Sequence, residues 1–263
     1  QNIAPEDTPS EVVLAEPYIM GSHSGEAGAW VSGPEDIASG EYFWGYNRMT
    51  TIRGLFAAGD GVGAAPHKFS SGSFTEGRIA AKSAVNFVAD NPSAPTVSDA
   101  NVRGIQETIW APLETFEKHK GASSSAEINP NYMTPKQGLV RLQKIMDEYG
   151  AGASTGYTTN QPTLERGIEL MEMFREDLAH LAARNRHELM RCWELIHRTW
   201  VGEAHLRHLL HRKETRWPGY YYRSDFPDLD DANWRVFVNS KFDAASNSWN
   251  LMTRPYKNII TSI

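Results

Sequence analysis

Apolar residues recur along the chain at two different rhythms, and the rhythm changes near residue 92. Before that point the apolar runs are short and bracketed by glycine: "EVVLAEPYIMGS", "GAWVSG" and "GLFAAGD" predict strands and tight turns. A helix is predicted over "TEGRIAAKSAVNFVAD", and the Pro/Ser-rich "NPSAPTVSD" at 91–99 reads as a breaker and domain boundary. From about 101 the spacing turns helical in "VRGIQETIWAPLETFEKHK" and "TPKQGLVRLQKIMDEYG", with "GASSSAEINPNYM" as a loop between them. The strongest periodicity places Leu164, Ile168, Met171, Leu178, Leu181, Leu189, Cys192, Ile196 and Trp200 on one face. It predicts one helix from about Thr163 to past Trp200, with Thr163 as its N-cap after Pro162. Beyond Gly202, "EAHLRHLLHRKETRW" continues the helix to Pro218, and the tail reads as loops plus a hairpin built from "WRVFVN" and "SWNLMTR". The pattern is that of a mixed α+β or α/β chain with domains over 1–92 and 101–263.

Composition narrows the class. The 263 residues are 40% hydrophobic and 22% charged with a formal charge of −6, which suits one sizeable core or two smaller ones. Net acidity argues against broad nucleic-acid binding, which relies on basic patches. No apolar run is long enough for a membrane span. A single cysteine, Cys192, forbids an internal disulfide and cannot supply the thiolates of an iron–sulfur cluster. A reducing, cytoplasmic compartment fits that usage. The start, "QNIAPEDTPSEVV", lacks Met and reads as the interior of a longer chain.

The chemistry concentrates in residues 54–85. Gly59, Gly61 and Ala64 satisfy G-x-G-x-x-A, but a dinucleotide fingerprint needs its glycines to open a helix directly. Here Pro66 interrupts and "PHKFSSGS" intervenes. The same residues also describe a buried strand ending in a small-residue turn and one carboxylate, Asp60, placed to accept hydrogen bonds from sugar or polyol hydroxyls. Ser73-Phe74-Thr75-Glu76 matches the capping box S-x-x-E, with Ser73 as N-cap and Glu76 at N3. A helix starting there offers free N–H groups and a positive dipole end to a bound anion. On the residues alone, an ordinary capped helix without ligand is the better explanation of the pattern. His205, His208 and His211 share a helical face, but metal ligation needs converging partners, and a solvated or interfacial helix is the simpler reading.

The stretch "GLFAAGD…HKFSSGSFTEGRIA" resembles the last FAD-binding segment of the succinate dehydrogenase/fumarate reductase flavoprotein family, a strand, a "HGANRLGxNSL" loop and a helix. "EPYIMGSHSGEAGAWVSGPED" and "PHKFSSGSFTEGR" are most similar to the branch of adenylylsulfate reductase alpha subunits, and "WPGYYYRSDFPDLDDANWRVFVN" extends the resemblance over essentially the whole chain. It implies the C-terminal part of a glutathione-reductase-like FAD-binding domain followed by a mainly helical domain. By position, Asp60, preceded by Gly59, stands where the family holds FAD hydroxyls, Ser73 and Phe74 stand where it meets the isoalloxazine, and Glu76 completes the cofactor-binding set. Lys68 replaces an Arg that binds the substrate carboxylate. Because Lys is a point charge and Arg a planar fork, this departure points away from a dicarboxylate. His23, with Gly21 and Gly25 beside it and Glu26 in place of the usual Met, is the implied substrate-contacting residue, and His67 is a second candidate. An imidazolium at either would neutralise a sulfite or phosphosulfate oxygen. Arg216, Arg223 and Asp225 match a further family segment, most simply as a structural network joining the helical domain to the FAD domain.

The resemblance implies two-electron reduction of adenylylsulfate to sulfite and AMP, and the reverse, with an iron–sulfur beta subunit carrying 4Fe–4S clusters. The family's N-terminal Gly-rich βαβ unit and its capping domain do not occur in the sequence, so the chain alone is expected to be inactive. Two alternatives stand beside it: another fumarate reductase, succinate dehydrogenase or aspartate oxidase-like flavoprotein, or a helical docking fragment for an iron–sulfur subunit.

Overall fold

The computed structural model describes residues 28–35, 43–62, 69–216 and 221–255. The chain divides into two compact units, Gln1–Pro92 and Ser93–Ile263. It mixes helix and strand, and the second unit is mainly helical.

In the first unit one long helix, α1 (Phe69–Asp90), accompanies a set of isolated bridges. Ala29 pairs in parallel with Val62, and Val31–Thr50 and Met49–Phe56 pair antiparallel. The strand expected over "GLFAAGD" is therefore a single bridge at Phe56, and Leu55 beside it is 51% exposed. A strand extends only as far as it finds backbone partners, and among the described residues Met49 is the bridge partner of Phe56. Aromatic rings supply much of the packing. Trp44 Nε1 donates to the carbonyls of Met49 (3.1 Å) and Thr50 (3.0 Å), and its ring meets Trp30 edge-on. Phe87 of α1 receives Tyr46 and Phe56 at centroid distances of 5.2 and 6.0 Å.

The second unit runs α2 (Asp99–His119), α3 (Pro135–Tyr149), β1 (Thr158–Thr159), α4 (Gln161–Asp177), α5 (Arg186–His211), β2 (Tyr222–Arg223), α6 (Asp231–Trp234), β3 (Val236–Asp243) and β4 (Ser248–Pro255). Its core lies among α3, α4 and α5, where Leu142, Ile145, Leu164, Met171, Phe174, Leu195 and Leu206 are buried together. Each such side chain contributes roughly 1.5–3 kcal/mol on leaving water. β1 and β2 form a short parallel pair. β3 and β4 form the predicted hairpin, in register from Val236–Pro255 to Asp243–Ser248.

Three sequence expectations change here. The long helix from Thr163 is two helices. After Asp177 the backbone makes a 3-10 turn, Leu178–His180, and then spends its hydrogen bonds outside any helix. Ala182 N–H donates to Met133 and Ala183 N–H to Pro112, at 3.0 and 2.9 Å. Asn185 then caps a new helix by accepting from the Glu188 N–H at 3.0 Å. The N-cap of α4 is Asn160, not Thr163, because Pro162 sits in the first turn and the Thr163 N–H is the group being capped, at 3.0 Å. α5 ends at His211 rather than reaching Pro218, since Arg212 is already extended (φ −79°, ψ 115°).

Buried charges tie the hairpin to the bundle. Glu203 on α5 is fully buried; it accepts from Trp249 Nε1 (2.7 Å) and Arg207 Nε (2.9 Å), and lies 3.0 Å from Arg175 Nε. The Arg175 guanidinium lies over Trp200 and Phe242, 4.3 and 5.4 Å from their centroids. Together these contacts join α4, α5 and the hairpin.

Candidate functional site

Gly59–Gly61 forms a 3-10 turn that packs on α1. Gly59 has φ +62°, where a side chain is strained. A Cβ placed on it would lie 3.3 Å from Ser73 Oγ. The turn is closed by its own bond from Val62 N–H to Gly59 O at 3.1 Å and anchored by Ala29 N–H, which donates to Gly61 O at 2.8 Å. The structure therefore brings Gly59 and Ser73 together across a seam, with the backbone of Asp60 in the same turn. A Cβ on Gly61 would meet open space, and Phe74, next to Ser73, is 80% exposed. The seam is thus floored by glycine and a hydroxyl and flanked by an uncovered aromatic ring. Those surroundings fit a flat, hydroxyl-bearing group such as a flavin with its ribityl chain.

The capping box is corrected. Ser73 is the fifth residue of α1, so its hydroxyl does not cap the helix start, and Glu76 is not at N3. The S-x-x-E pattern matched by spacing alone, while helical geometry extends back to Phe69. Glu76 is instead buried and forked by Arg48: Nε and Nη2 both reach its carboxylate, the latter at 2.9 Å. Their side chains are only 14% and 7% exposed. Arg48 was not singled out by the sequence, and it has φ +68°, unusual for a residue with a Cβ. One signal existed, since a carboxylate on an inward helix face calls for a cation, but the partner lies 28 residues away and no periodicity links them.

His23, His67 and Lys68 lie outside the described residues. Among the described residues no three His, Cys, Asp or Glu side chains gather as a metal site. His208 Nε2 instead meets Ser240 Oγ at 2.9 Å, and burial, reinforced by His205, His211 and Arg212, pushes its imidazolium pKa down to about 4. Arg223 is fully buried; it forks onto Asp225 with two 2.8 Å bonds and donates to the carbonyls of Leu209 and Arg212. Asp225 also accepts from the Gln161 N–H at 2.9 Å, and the Arg223 guanidinium holds its carboxyl below the usual range. Arg216 forks onto the buried Glu214. These three motif residues form a network within the second unit. Cys192 is buried, and burial pushes its thiol up to about 12.

Known proteins resemble this chain. Residues 140–260 match the family of the fumarate reductase flavoprotein C-terminus. The adenylylsulfate reductase alpha subunit of Megalodesulfovibrio gigas is 45% identical over 98% of this chain and 40% of its own length. The adenylylsulfate reductase structure from the hyperthermophilic Archaeoglobus fulgidus superposes with a TM-score of 0.88 at 57% identity, covering 94% of this chain and 39% of that one. A structure of adenosine-5-phosphosulfate reductase in complex with sulfite as a covalent adduct gives the same TM-score, 0.88, at 57% identity, again over 94% and 39% of the two chains. The chain thus spans about two fifths of the length of the relatives it matches. No helix among the described residues is long and apolar enough to cross a membrane. The chain belongs to the succinate dehydrogenase/fumarate reductase flavoprotein family, and within it is similar to the alpha subunits of adenylylsulfate reductase.

Proposed function

We propose that this chain works within the flavoprotein subunit of an adenylylsulfate reductase, which takes adenylylsulfate to sulfite and AMP with two electrons, and runs the reverse. The observation that carries the reading is the Gly59–Ser73 seam, in a chain 57% identical to a reductase whose structure holds sulfite as a covalent adduct. FAD, when bound, supplies the two-electron chemistry. The absence of a side chain at Gly59 lets α1 approach the turn closely, the open side at Gly61 leaves room for a ring or its ribityl chain, and Ser73 offers a hydroxyl donor beside it. Phe74 covers one face of the bound group with apolar surface, and Asp60 accepts from its hydroxyls. His23, His67 and Lys68 take the substrate side. Their positive charge offsets that of the sulfate and phosphate oxygens, and Lys68 favours a tetrahedral anion over a planar carboxylate.

The iron–sulfur clusters of the reaction belong to a partner beta subunit on this reading. Cys192, the single cysteine, is buried and protonated, so this chain offers no thiolate for a cluster. A cytoplasmic location goes with the same reading. An assay of the full-length flavoprotein with sulfite, AMP and ferricyanide tests the proposal. Sulfite- and AMP-dependent ferricyanide reduction is expected. Turnover of fumarate without any sulfite activity would move the protein to the dicarboxylate branch. Capture of an iron–sulfur partner with no flavin retained would make it a docking subunit.

A further inference from the structure

Arg48 occupies a node that the family motifs do not mark. Its backbone N–H donates to Ser32 O at 2.9 Å, and its carbonyl accepts from the Ala57 N–H at 3.1 Å. Ala57 lies two residues before Gly59, so the main chain of Arg48 fixes one wall of the seam. Its side chain fixes the other: the guanidinium forks onto Glu76, and Glu76 lies one helical turn after Ser73 on α1. Asn47 Oδ1 accepts from Nη1 at 2.8 Å, adding a third partner to the head group. The left-handed backbone at φ +68° disfavours any residue with a Cβ and is held only because surrounding contacts over-determine it. Around it the described backbone pairs in single bridges rather than ladders, and the other ties to α1 lie toward its C-terminal end, where Phe87 meets Tyr46 and Phe56 and Asp90 accepts from the Tyr46 hydroxyl.

We propose that the Arg48–Glu76 pair is a positioning clamp that sets the width of the Gly59–Ser73 seam and thereby the affinity and seating of the flavin. The clamp rests on the flavin reading above. Arg48 and Glu76 are positioning residues: they act through the turn and through α1. A planar fork suits this task better than a point charge, because two parallel bonds fix the orientation of the helix as well as its distance.

The test uses the full-length flavoprotein, reversibly stripped of flavin and titrated with FAD, with visible circular dichroism of the bound flavin as a second readout. Glu76→Gln and Arg48→Gln are expected to weaken FAD binding by roughly tenfold or more and to alter the flavin dichroism. Arg48→Lys keeps the charge but not the fork, and should weaken binding by only about threefold. Arg141→Gln, which removes an ion pair between α3 and α4, should leave both readouts as in the parent. If the glutamine variants do not fold, Arg48→Lys decides by the same criteria. Parent-like affinity and dichroism in the Arg48 and Glu76 variants would overturn the clamp while leaving the flavin reading intact. An equal loss in Arg141→Gln would also overturn it, as general destabilisation. If the parent itself takes up no FAD, the flavin reading falls and the clamp falls with it.

Discussion

Each unit carries an arginine forked onto a carboxylate, Arg48 onto Glu76 in the first and Arg223 onto Asp225 in the second. Their surroundings differ. Arg223 sits in β2 and also donates to two backbone carbonyls at the end of α5 and just beyond it, while its carboxylate partner receives the first turn of α4. It is one of many ties in a bundle whose core would hold α3, α4 and α5 together in any case. Arg48 stands among single backbone bridges, in a left-handed conformation, and links the segments of Ser32 and Ala57 to α1. The same chemical pair therefore strengthens an already cooperative core in one place and sets a local geometry in the other. A buried ion pair is weak evidence for stability by itself, and its neighbours decide what it is for.

Breaking the tie in the bundle should have the largest effect on stability. Arg223→Ala removes the cation from Asp225 and the side-chain donor from two carbonyls, and a loss of about 3–5 kcal/mol is expected by urea denaturation. The pH dependence has a definite sign. Asp225 has a lowered pKa in the folded state, so its contribution is present above the unfolded carboxylate value and is lost as pH falls through the folded one. The advantage of the parent over Asp225→Asn should accordingly narrow below about pH 4.

A matched pair of glycine substitutions sharpens the contrast. In the second unit, a Cβ on Gly152 would lie 2.4 Å from Asp147 Cα and 2.6 Å from its carbonyl oxygen, atoms that cannot swing away. Gly152→Ala should cost about 1–3 kcal/mol in the same denaturation experiment and leave FAD affinity unchanged. Gly59→Ala should cost less stability, about 1–2 kcal/mol from its left-handed backbone, yet reduce FAD retention measurably on gel filtration.

Smaller effects come from single side chains of the bundle. His208 titrates near 4 in the folded protein and near 6.5 when unfolded, so the unfolded chain takes up the proton first as the solution is acidified. Melting temperature should fall between about pH 6.5 and pH 4, and His208→Gln should flatten part of that slope. Lys144→Ala, which removes the exposed pair with Glu148, should leave the unfolding midpoint where it was.

The helical half was legible because burial in a bundle imposes a period, and α2, α3 and the hairpin lie where the period puts them. The break between α4 and α5 was hidden because Leu178, Leu181 and Ala182 keep the apolar rhythm while their backbone turns elsewhere. Its signal was Asn185 with Glu188 three residues later, a cap that periodicity alone does not weigh. At the candidate site, glycine spacing and motif wording pointed to Gly59 and Ser73, which the fold does bring together. The role first given to Glu76 followed from a local pattern, whereas its partner depends on tertiary contact across 28 residues. No local rule connects such residues, which is why Arg48 emerged only from the structure.

Cys192 is the single thiol in the sequence; it is packed in the core with Leu189 and Leu195, donates weakly to Ala182 O at 3.8 Å, and is held protonated by burial. A maleimide added to the native protein can therefore reach this sulfur only when the bundle opens. The chain thus carries a built-in counter of its own breathing. The rate at which that sulfur becomes labelled, with and without flavin, would read how far occupancy of the first unit quiets the interior of the second.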